Sequence, residues 1–257
     1  MRHWDVKKHK TEGWVIASLT STAIAAVLAA PTSSVAQDQT TPPAREQAAS
    51  QPVYRPPPRG APGGRVGGAS RGTIKVTAPL PTIQLLAPEG HAGLTTNPAP
   101  TLYFFVSQPV GWPTQFTISA PGRPSPLVEV NIPAPTGAGI YAVRTADYHV
   151  RLEPGVVYTW SISVIINPKS RSRDIVASAS LLRTVPDPVM ESALRAASTS
   201  ERAVMFAQAG LWYDAVAAAA DIGAFDRHAA LDALMNEVGL TEPARYDRQT
   251  TGGDRSR

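Results

Sequence analysis

The chain has 257 residues, of which 43% are hydrophobic and 17% charged, and it contains 25 Pro, 19 Gly and no Cys. This length allows one ordinary globular domain or two small ones, and the absence of cysteine excludes disulfide frameworks, cysteine-based zinc sites, iron–sulfur clusters and thiol nucleophiles. The net charge of +4 comes from the first 78 residues, since residues 79–257 carry 14 Lys and Arg against 16 Asp and Glu. The sequence shows no basic face with aromatic platforms, so it gives no indication of nucleic-acid binding.

An export signal is predicted at residues 1–36. Basic residues precede a run without charge from residue 13 to residue 37, and the small residues Ser34 and Ala36 occupy the positions that a signal peptidase recognises. We predict cleavage after Ala36 and a periplasmic or secreted mature chain without a stable membrane span. The alternative is an uncleaved anchor, although the Ala-rich run is interrupted by Ser and Thr, which weakens it as a span.

Residues 37–78 are predicted to form a disordered or extended linker. Of the 36 residues from 37 to 72, 13 are Pro or Gly, so the stretch buries too little apolar surface to offset the entropy of ordering it. Its Gly- and Arg-rich part, residues 59–71, either wraps around the following domain, tethers it to the envelope or cradles an anion. Whether this part docks on the domain stays open.

Residues 79–185 are predicted to form an all-β domain. Seven short β-prone runs are separated by Pro, Gly or Asn without helical patterns between them, which is typical of an Ig-like or fibronectin-like antiparallel sandwich. The runs cover residues 83–87, 102–106, 115–120, 127–132, 140–144, 156–166 and 175–183.

The run at residues 156–166 carries the clearest pattern. Tyr158, Trp160 and every second residue after them are apolar, whereas Thr and Ser stand between them, so one face is expected in the core and the other in water. The pattern Leu-x-Pro-Gly-x-x-Tyr-x-Trp at 152–160 resembles the approach to strand F of fibronectin type III domains, where a Tyr hydroxyl anchors the turn. We assign this structural role to Tyr158.

Residues 186–243 are predicted to be a small helical region behind the sandwich, which makes the fold α+β overall. Ser198 and Glu201 form a capping box at the start of one helix, and Gly210 suits the position just beyond its end. The pattern at 203–215 resembles a single tetratricopeptide hairpin. Because stacked repeats need about three units to be stable, this hairpin must pack on the sandwich or on another chain.

Further helices are predicted on both sides of this turn. One covers residues 189–197, a second runs from 212 to 222, and a third runs from a cap at Asp226 to Gly239. Pro243 is expected to prevent continuation, so residues 244–257 are predicted to be a disordered tail.

Four segments together resemble one bacterial family. They are a Gly- and Arg-rich stretch at 59–71, LLAPEGHAGLTTNPAPTLYFFV at 85–106, LEPGVVYTWSISVIINPKSRSRD at 152–174 and ERAVMFAQAGLWYDAVAAAADI at 201–222. In this order they are similar to the family catalogued as domain of unknown function 928. The resemblance implies an exported protein with no assigned reaction, cofactor or catalytic residue. Relatives often carry a Cys near the position of Ile166, so any thiol role in the family is absent here.

Few residues stand out as candidates for a site. Trp212 and Tyr213 begin a helix, where their rings either seal the helices onto the sandwich or protrude as an interaction anchor. Arg171 and Arg173 lie at a predicted hairpin tip, where they are either solvated or contact an anion. No His or carboxylate spacing indicates a metal, and we predict no catalytic residue and no cofactor.

The sequence favours a non-enzymatic binding or scaffold module of the envelope, with another envelope protein or a surface polymer as its partner. This inference rests on fold class, since sandwiches and helical hairpins are common interaction scaffolds. One alternative is a hydrolase of cell-wall or surface polysaccharide, which requires paired carboxylates in a cleft. Another is a carbohydrate-binding module, which requires exposed, coplanar rings among Trp112, Tyr141 and Trp212.

Overall fold

A computed structural model describes residues 50–58, 63–70 and 80–253. These residues belong to one unit of the chain and contain two sheets and five helices. The α+β architecture predicted from the sequence is thereby confirmed. The predicted export signal at residues 1–36 lies outside the described residues, as does the end of the predicted tail from residue 254.

Nine strands lie in the described part of the chain. They are β1 (Arg65–Ser70), β2 (Ile83–Leu85), β3 (Gly93–Thr95), β4 (Thr101–Val106), β5 (Thr114–Ser119), β6 (Val128–Ile132), β7 (Gly139–Arg144), β8 (Val157–Val164) and β9 (Ile175–Arg183). The larger sheet has the antiparallel order β1-β9-β8-β5-β6, and β3 pairs in parallel with the end of β9. The smaller sheet has the order β2-β4-β7, and residues of both sheets share one hydrophobic core.

Each of the seven predicted β-prone runs overlaps a strand, and β8 illustrates the reason. Tyr158 and Trp160 are at most 3% exposed, whereas Thr159 between them faces solvent. Because alternate residues of a strand point to opposite faces, β8 can lie between β5 and β9 with its apolar side in the core. The Tyr158 hydroxyl also accepts a hydrogen bond at 2.9 Å from the N–H of Glu153, which lies just before the strand.

Part of the predicted linker at residues 37–78 is ordered, so of the two predicted states, disordered or extended, the disordered one is wrong there. The strand β1 lies within it and pairs with β9. Upstream, Tyr54 is 4% exposed, and the Arg55 N–H donates to the Ala207 carbonyl at 3.0 Å. Both segments gain their order from surfaces elsewhere in the fold, which is why neither shows an apolar alternation of its own. The Gly- and Arg-rich stretch therefore docks on the domain through β1.

Five helices follow the strands. They are α1 (Pro188–Ala196), α2 (Thr199–Gln208), α3 (Trp212–Ala220), α4 (Ala224–Glu237) and α5 (Thr241–Gly253). Ser198 and Glu201 cap α2 reciprocally: the Ser198 hydroxyl accepts from the Glu201 N–H, and the Glu201 carboxylate accepts from the Ser198 N–H. The helix α4 begins earlier than predicted, so Asp226 lies in its first turn and not at its N-cap.

The prediction of a disordered tail at residues 244–257 is wrong for most of its length. Pro243 falls in the first turn of α5, where the missing N–H would have had no helical acceptor. Ala244 is fully buried, and the Tyr246 hydroxyl donates to the Ala138 carbonyl at 2.6 Å. The helix α5 therefore continues beyond Pro243 and packs on the sheets.

Gly210 joins α2 to α3 where the backbone disfavours a larger residue. Its φ is 74°, and a Cβ added to it would lie 2.8 Å from the Arg55 carbonyl oxygen. We expect Gly210→Ala to lower the free energy of unfolding by about 2 kcal/mol in urea denaturation. Gly239→Ala is the matched control, because its φ is 70° but its Cβ would meet no atom within 4 Å. Only about 1 kcal/mol is expected there, and equal losses would contradict a close approach at Gly210.

Candidate functional site

Trp212 and Tyr213 join the helices to the sheets. Both are buried, at 0% and 1% exposure. The Trp212 indole N–H donates to the Leu86 carbonyl at 2.8 Å. The Tyr213 hydroxyl accepts from the Trp160 indole N–H at 2.8 Å and donates to the Ser180 carbonyl at 3.1 Å. The two rings seal the helices onto the sheets, the first of the two roles predicted for them, and their burial leaves no ring surface for a partner.

Asp214 follows them in the first turn of α3 and is 8% exposed. Its carboxylate accepts from the Thr95 hydroxyl at 2.6 Å, from the Thr96 N–H at 2.6 Å and from the Thr96 hydroxyl at 2.8 Å. Burial raises the pKa of Asp214, and these hydrogen bonds oppose the rise. Asp214 therefore ties the start of α3 to the end of β3, and its oxygens are engaged within the protein.

A groove of about 530 Å³, here called the helical groove, opens between α1, α2, α3 and the loop of residues 96–98. Its lining combines apolar side chains with charged ones from three helices. Among the lining residues are Leu194, Arg195, Arg202, Phe206, Ala217 and Asp221. Because α1, α2 and α3 each contribute, the groove exists only once the helices have packed together.

Two arginines from different helices line the helical groove. Arg195 of α1 and Arg202 of α2 are both exposed, and neither guanidinium pairs with a carboxylate of the described residues. Arg202 donates one hydrogen bond, to the Thr199 hydroxyl at 3.2 Å. Asp221 is exposed at the far end of α3, whereas Asp214, which also lines the groove, is only 8% exposed. The groove thus offers two cationic groups whose donors are largely open to an external acceptor.

A second depression, here called the sheet cleft, lies between the smaller sheet and the helices α3, α4 and α5. It consists of two cavities of about 590 and 390 Å³ that share Tyr103, Ala142 and Asp221. Arg227 of α4 and Tyr246 of α5 line the smaller cavity. Since Asp221 also lines the helical groove, the two depressions meet at the end of α3.

Arg171 and Arg173 lie in a 3-10 turn between β8 and β9. The Arg171 Nε donates to the buried Asp174 carboxylate, and its Nη2 donates to the Gln115 side-chain oxygen at 2.9 Å. Arg171 is therefore engaged within the protein, and neither arginine lines the helical groove or the sheet cleft. An anion contact at this tip stays a prediction.

The rings predicted for a carbohydrate-binding module do not form an exposed platform. Trp212 is buried, and Trp112 and Tyr141 are half-buried. The Tyr141 hydroxyl is also engaged, since it donates to the Gly137 carbonyl at 2.9 Å. In the part of the chain that the structure describes, no three His, Asp or Glu side chains come together as metal ligands.

The residues of the helical groove and the sheet cleft are not apparent from the sequence. Arg195, Arg202, Asp221 and Tyr103 each stand in an ordinary helix or strand pattern, and only tertiary packing brings them beside a cavity. Asp214 does leave one signal. It stands in the first turn of a predicted helix, where the helix dipole favours a carboxylate.

A family model described as Domain of Unknown Function (DUF928) matches residues 66–247. The match agrees with the resemblance found in the sequence and contains the named residues of both depressions. No curated protein and no solved structure matches the chain. Within the described ranges, no helix is long and apolar enough to cross a membrane.

Proposed function

The chain belongs to the DUF928 family, which has no assigned function, and from its geometry we propose that it is a non-enzymatic binding module of the cell envelope. Its binding site is the helical groove. The occupant is a peptide segment of a partner protein that carries a carboxylate beside apolar side chains. One observation carries the proposal: the exposed guanidinium groups of Arg195 and Arg202, without a carboxylate partner in the described residues, stand beside apolar lining.

The two arginines of the groove, which have no carboxylate partner among the described residues, favour an anionic group. A guanidinium presents a planar set of donors that matches the two oxygens of a carboxylate, so an arginine pair selects this group by geometry as well as by charge. Asp214 does not pair with the arginines, since the donors to its carboxylate are Thr95 and Thr96. We therefore propose that the anionic group comes from a partner.

The rest of the lining favours a peptide over a small anion. Leu194, Phe206 and Ala217 are half-buried, so they keep apolar surface that a bound side chain can cover. A groove of about 530 Å³ is within the range of ligand sites and much larger than a single carboxylate requires. A peptide segment that has an acidic residue or a free C-terminus next to an apolar side chain can contact both the arginines and the apolar lining.

The envelope location and the sandwich class are also parts of this proposal. The predicted export signal at residues 1–36 supports a location outside the cytoplasm. The strands are proposed to be an Ig-like sandwich, because two sheets share one core and the Tyr158 hydroxyl bonds to the backbone of Glu153, as in a tyrosine corner. Folds of this class present binding surfaces without needing a reactive centre.

We propose no reaction for the groove. Its two lining carboxylates are Asp214, which is locked by hydrogen bonds, and Asp221, which stands seven residues later in the chain. A glycosidase needs both carboxyl groups free to act on one bond, whereas the Asp214 carboxylate is held by Thr95 and Thr96. This arrangement favours binding over hydrolysis.

The test uses a library of random peptides displayed with free carboxyl termini and selected on the full chain. We expect enriched sequences in which a carboxylate lies next to apolar residues. Their affinity, measured by fluorescence polarisation, should fall about tenfold for Arg195→Gln/Arg202→Gln, which corresponds to about 1.4 kcal/mol for two exposed charge contacts.

The control is Arg123→Gln/Arg151→Gln, which removes the same charge from exposed positions outside the groove. These two substitutions should leave the peptide affinity within twofold of the wild type. The proposal fails when no peptide is enriched, or when the groove variant binds the enriched peptides as tightly as the control variant does.

A further inference from the structure

The sheet cleft contains three hydrogen-bonding side chains that the fold leaves unused. Tyr103 of β4, Asp221 at the end of α3 and Arg227 of α4 line the same cavity. The Tyr103 hydroxyl, the Asp221 carboxylate and the Arg227 guanidinium make no hydrogen bond or ion pair to any other residue that the structure describes. Burial and the charge of Asp221 raise the pKa of Tyr103, which places the two groups in one electrostatic environment.

These three side chains offer complementary hydrogen-bonding groups. A carboxylate only accepts, a guanidinium only donates, and a tyrosine hydroxyl does both. A ligand that satisfies all three within one cleft must carry several groups that donate and accept at once. The half-buried rings of Tyr103 and Tyr246 add some apolar surface to the lining, without forming an exposed platform. Polyhydroxylated sugar rings, with hydroxyls at their rims and C–H groups on their faces, have this combination.

The charges of the sheet cleft do not favour a strongly anionic sugar. Arg144 and Arg227 are its lining cations, and Asp147, Asp221 and Asp247 are its lining carboxylates. Arg144 is also close to Asp147, at 3.6 Å. Asp247 in turn contacts His228 at 2.8 Å. Because the lining charges are largely paired or balanced, the cleft offers no net attraction to a uronate or phosphate polymer, which favours a neutral sugar.

We propose that the sheet cleft binds a neutral saccharide chain, with Tyr103, Asp221 and Arg227 as its polar contacts. Two cavities of about 590 and 390 Å³ that share residues make room for more than one sugar ring, which favours a chain over a monosaccharide. This site is separate from the peptide site proposed above, except that Asp221 lines both. A module with both sites would hold a partner protein against a surface polymer.

The test titrates the full chain with linear pentasaccharides and follows binding by saturation-transfer NMR and calorimetry. The probes are β-1,4-linked glucose, β-1,4-linked N-acetylglucosamine and α-1,4-linked glucose, with a β-1,4-linked uronate of equal length as the anionic comparison. We expect at least one neutral chain to bind and the uronate to bind at least tenfold more weakly. Tyr103→Ala and Arg227→Gln should each weaken the neutral chain about tenfold.

Two further variants keep the result interpretable. Tyr103→Phe retains the ring and removes only the hydroxyl, so it should fold normally and bind several-fold more weakly than the wild type. Arg245→Gln changes an exposed arginine of α5 outside the cleft and should have no effect. Arg195→Gln/Arg202→Gln should also leave the saccharide affinity unchanged, which separates this proposal from the peptide site. Binding by none of the neutral chains, or equal affinity in Arg227→Gln and Arg245→Gln, would overturn it.

Discussion

Trp212→Ala is expected to lower the free energy of unfolding by about 4 kcal/mol. The Trp212 ring is completely buried and packs edge-on against Tyr54, with ring centroids 4.9 Å apart. Its removal leaves a cavity where the helices meet the sheets and leaves the Leu86 carbonyl without its donor. Urea denaturation followed by circular dichroism measures the loss as a lower midpoint at an unchanged slope.

Two comparison variants test whether the loss comes from the buried ring of Trp212. Trp212→Phe keeps most of the ring volume and removes the indole donor, so a smaller loss of about 1–2 kcal/mol is expected. Val189→Ala changes a side chain that is 79% exposed on α1 and should be nearly neutral. A midpoint for Trp212→Ala close to that of the wild type would mean that the helices are not seated on the sheets as described.

Asp214→Ala is expected to cost about 3 kcal/mol, because it leaves three donors of Thr95 and Thr96 without their acceptor in a buried position. The helix α3 then loses its hydrogen bonds to the end of β3, so the helical groove should also lose its shape. The same denaturation experiment measures the loss. Asp226→Ala is the control, since Asp226 is exposed in the first turn of α4. Equal midpoints for the two variants would contradict the role given to Asp214.

The pH dependence of stability tests the ionisation of the same carboxyl. Burial raises the pKa of Asp214 above its usual 3.8, so the folded chain holds a proton in a range where the unfolded chain has released it. This contribution to stability is complete below pH 3.8 and is lost as the pH rises through the folded pKa. The stability difference between the wild type and Asp214→Asn should therefore decrease over that interval, and an increase would contradict a raised pKa.

The strands were predictable where a strand carries its own pattern. Apolar and polar residues alternate in β8 because one face of the strand lies in the core. This alternation can be read from residues 157–164 alone. By contrast, β1 is Gly-rich and depends on the free edge of β9, and β3 has only three residues. The end of the chain was mispredicted for a related reason. Pro243 stops a helix when it falls in the interior but is tolerated in the first turn, and the sequence alone does not distinguish the two cases.

The candidate site was less predictable than the fold because it consists of contacts between elements. The sequence singled out Trp212 and Tyr213 correctly as unusual, but their burial depends on how the helices pack on the sheets. Arg195 and Arg202 carry no local signal, since an exposed arginine in a helix is ordinary. They become candidates for a binding site because they share a cavity with apolar side chains and have no carboxylate partner among the described residues. Both are properties of the folded chain.

The most direct test of the binding module is the NMR spectrum of its arginine side chains during titration with an enriched acidic peptide. The Nε–Hε resonances of Arg195 and Arg202 should shift together, with one affinity, while those of Arg123 and Arg151 stay in place. A guanidinium that gains a carboxylate partner changes its hydrogen bonding directly, so this signal reports the proposed contact itself. Shifts confined to arginines outside the groove, or an unchanged spectrum under a peptide that binds, would contradict the account.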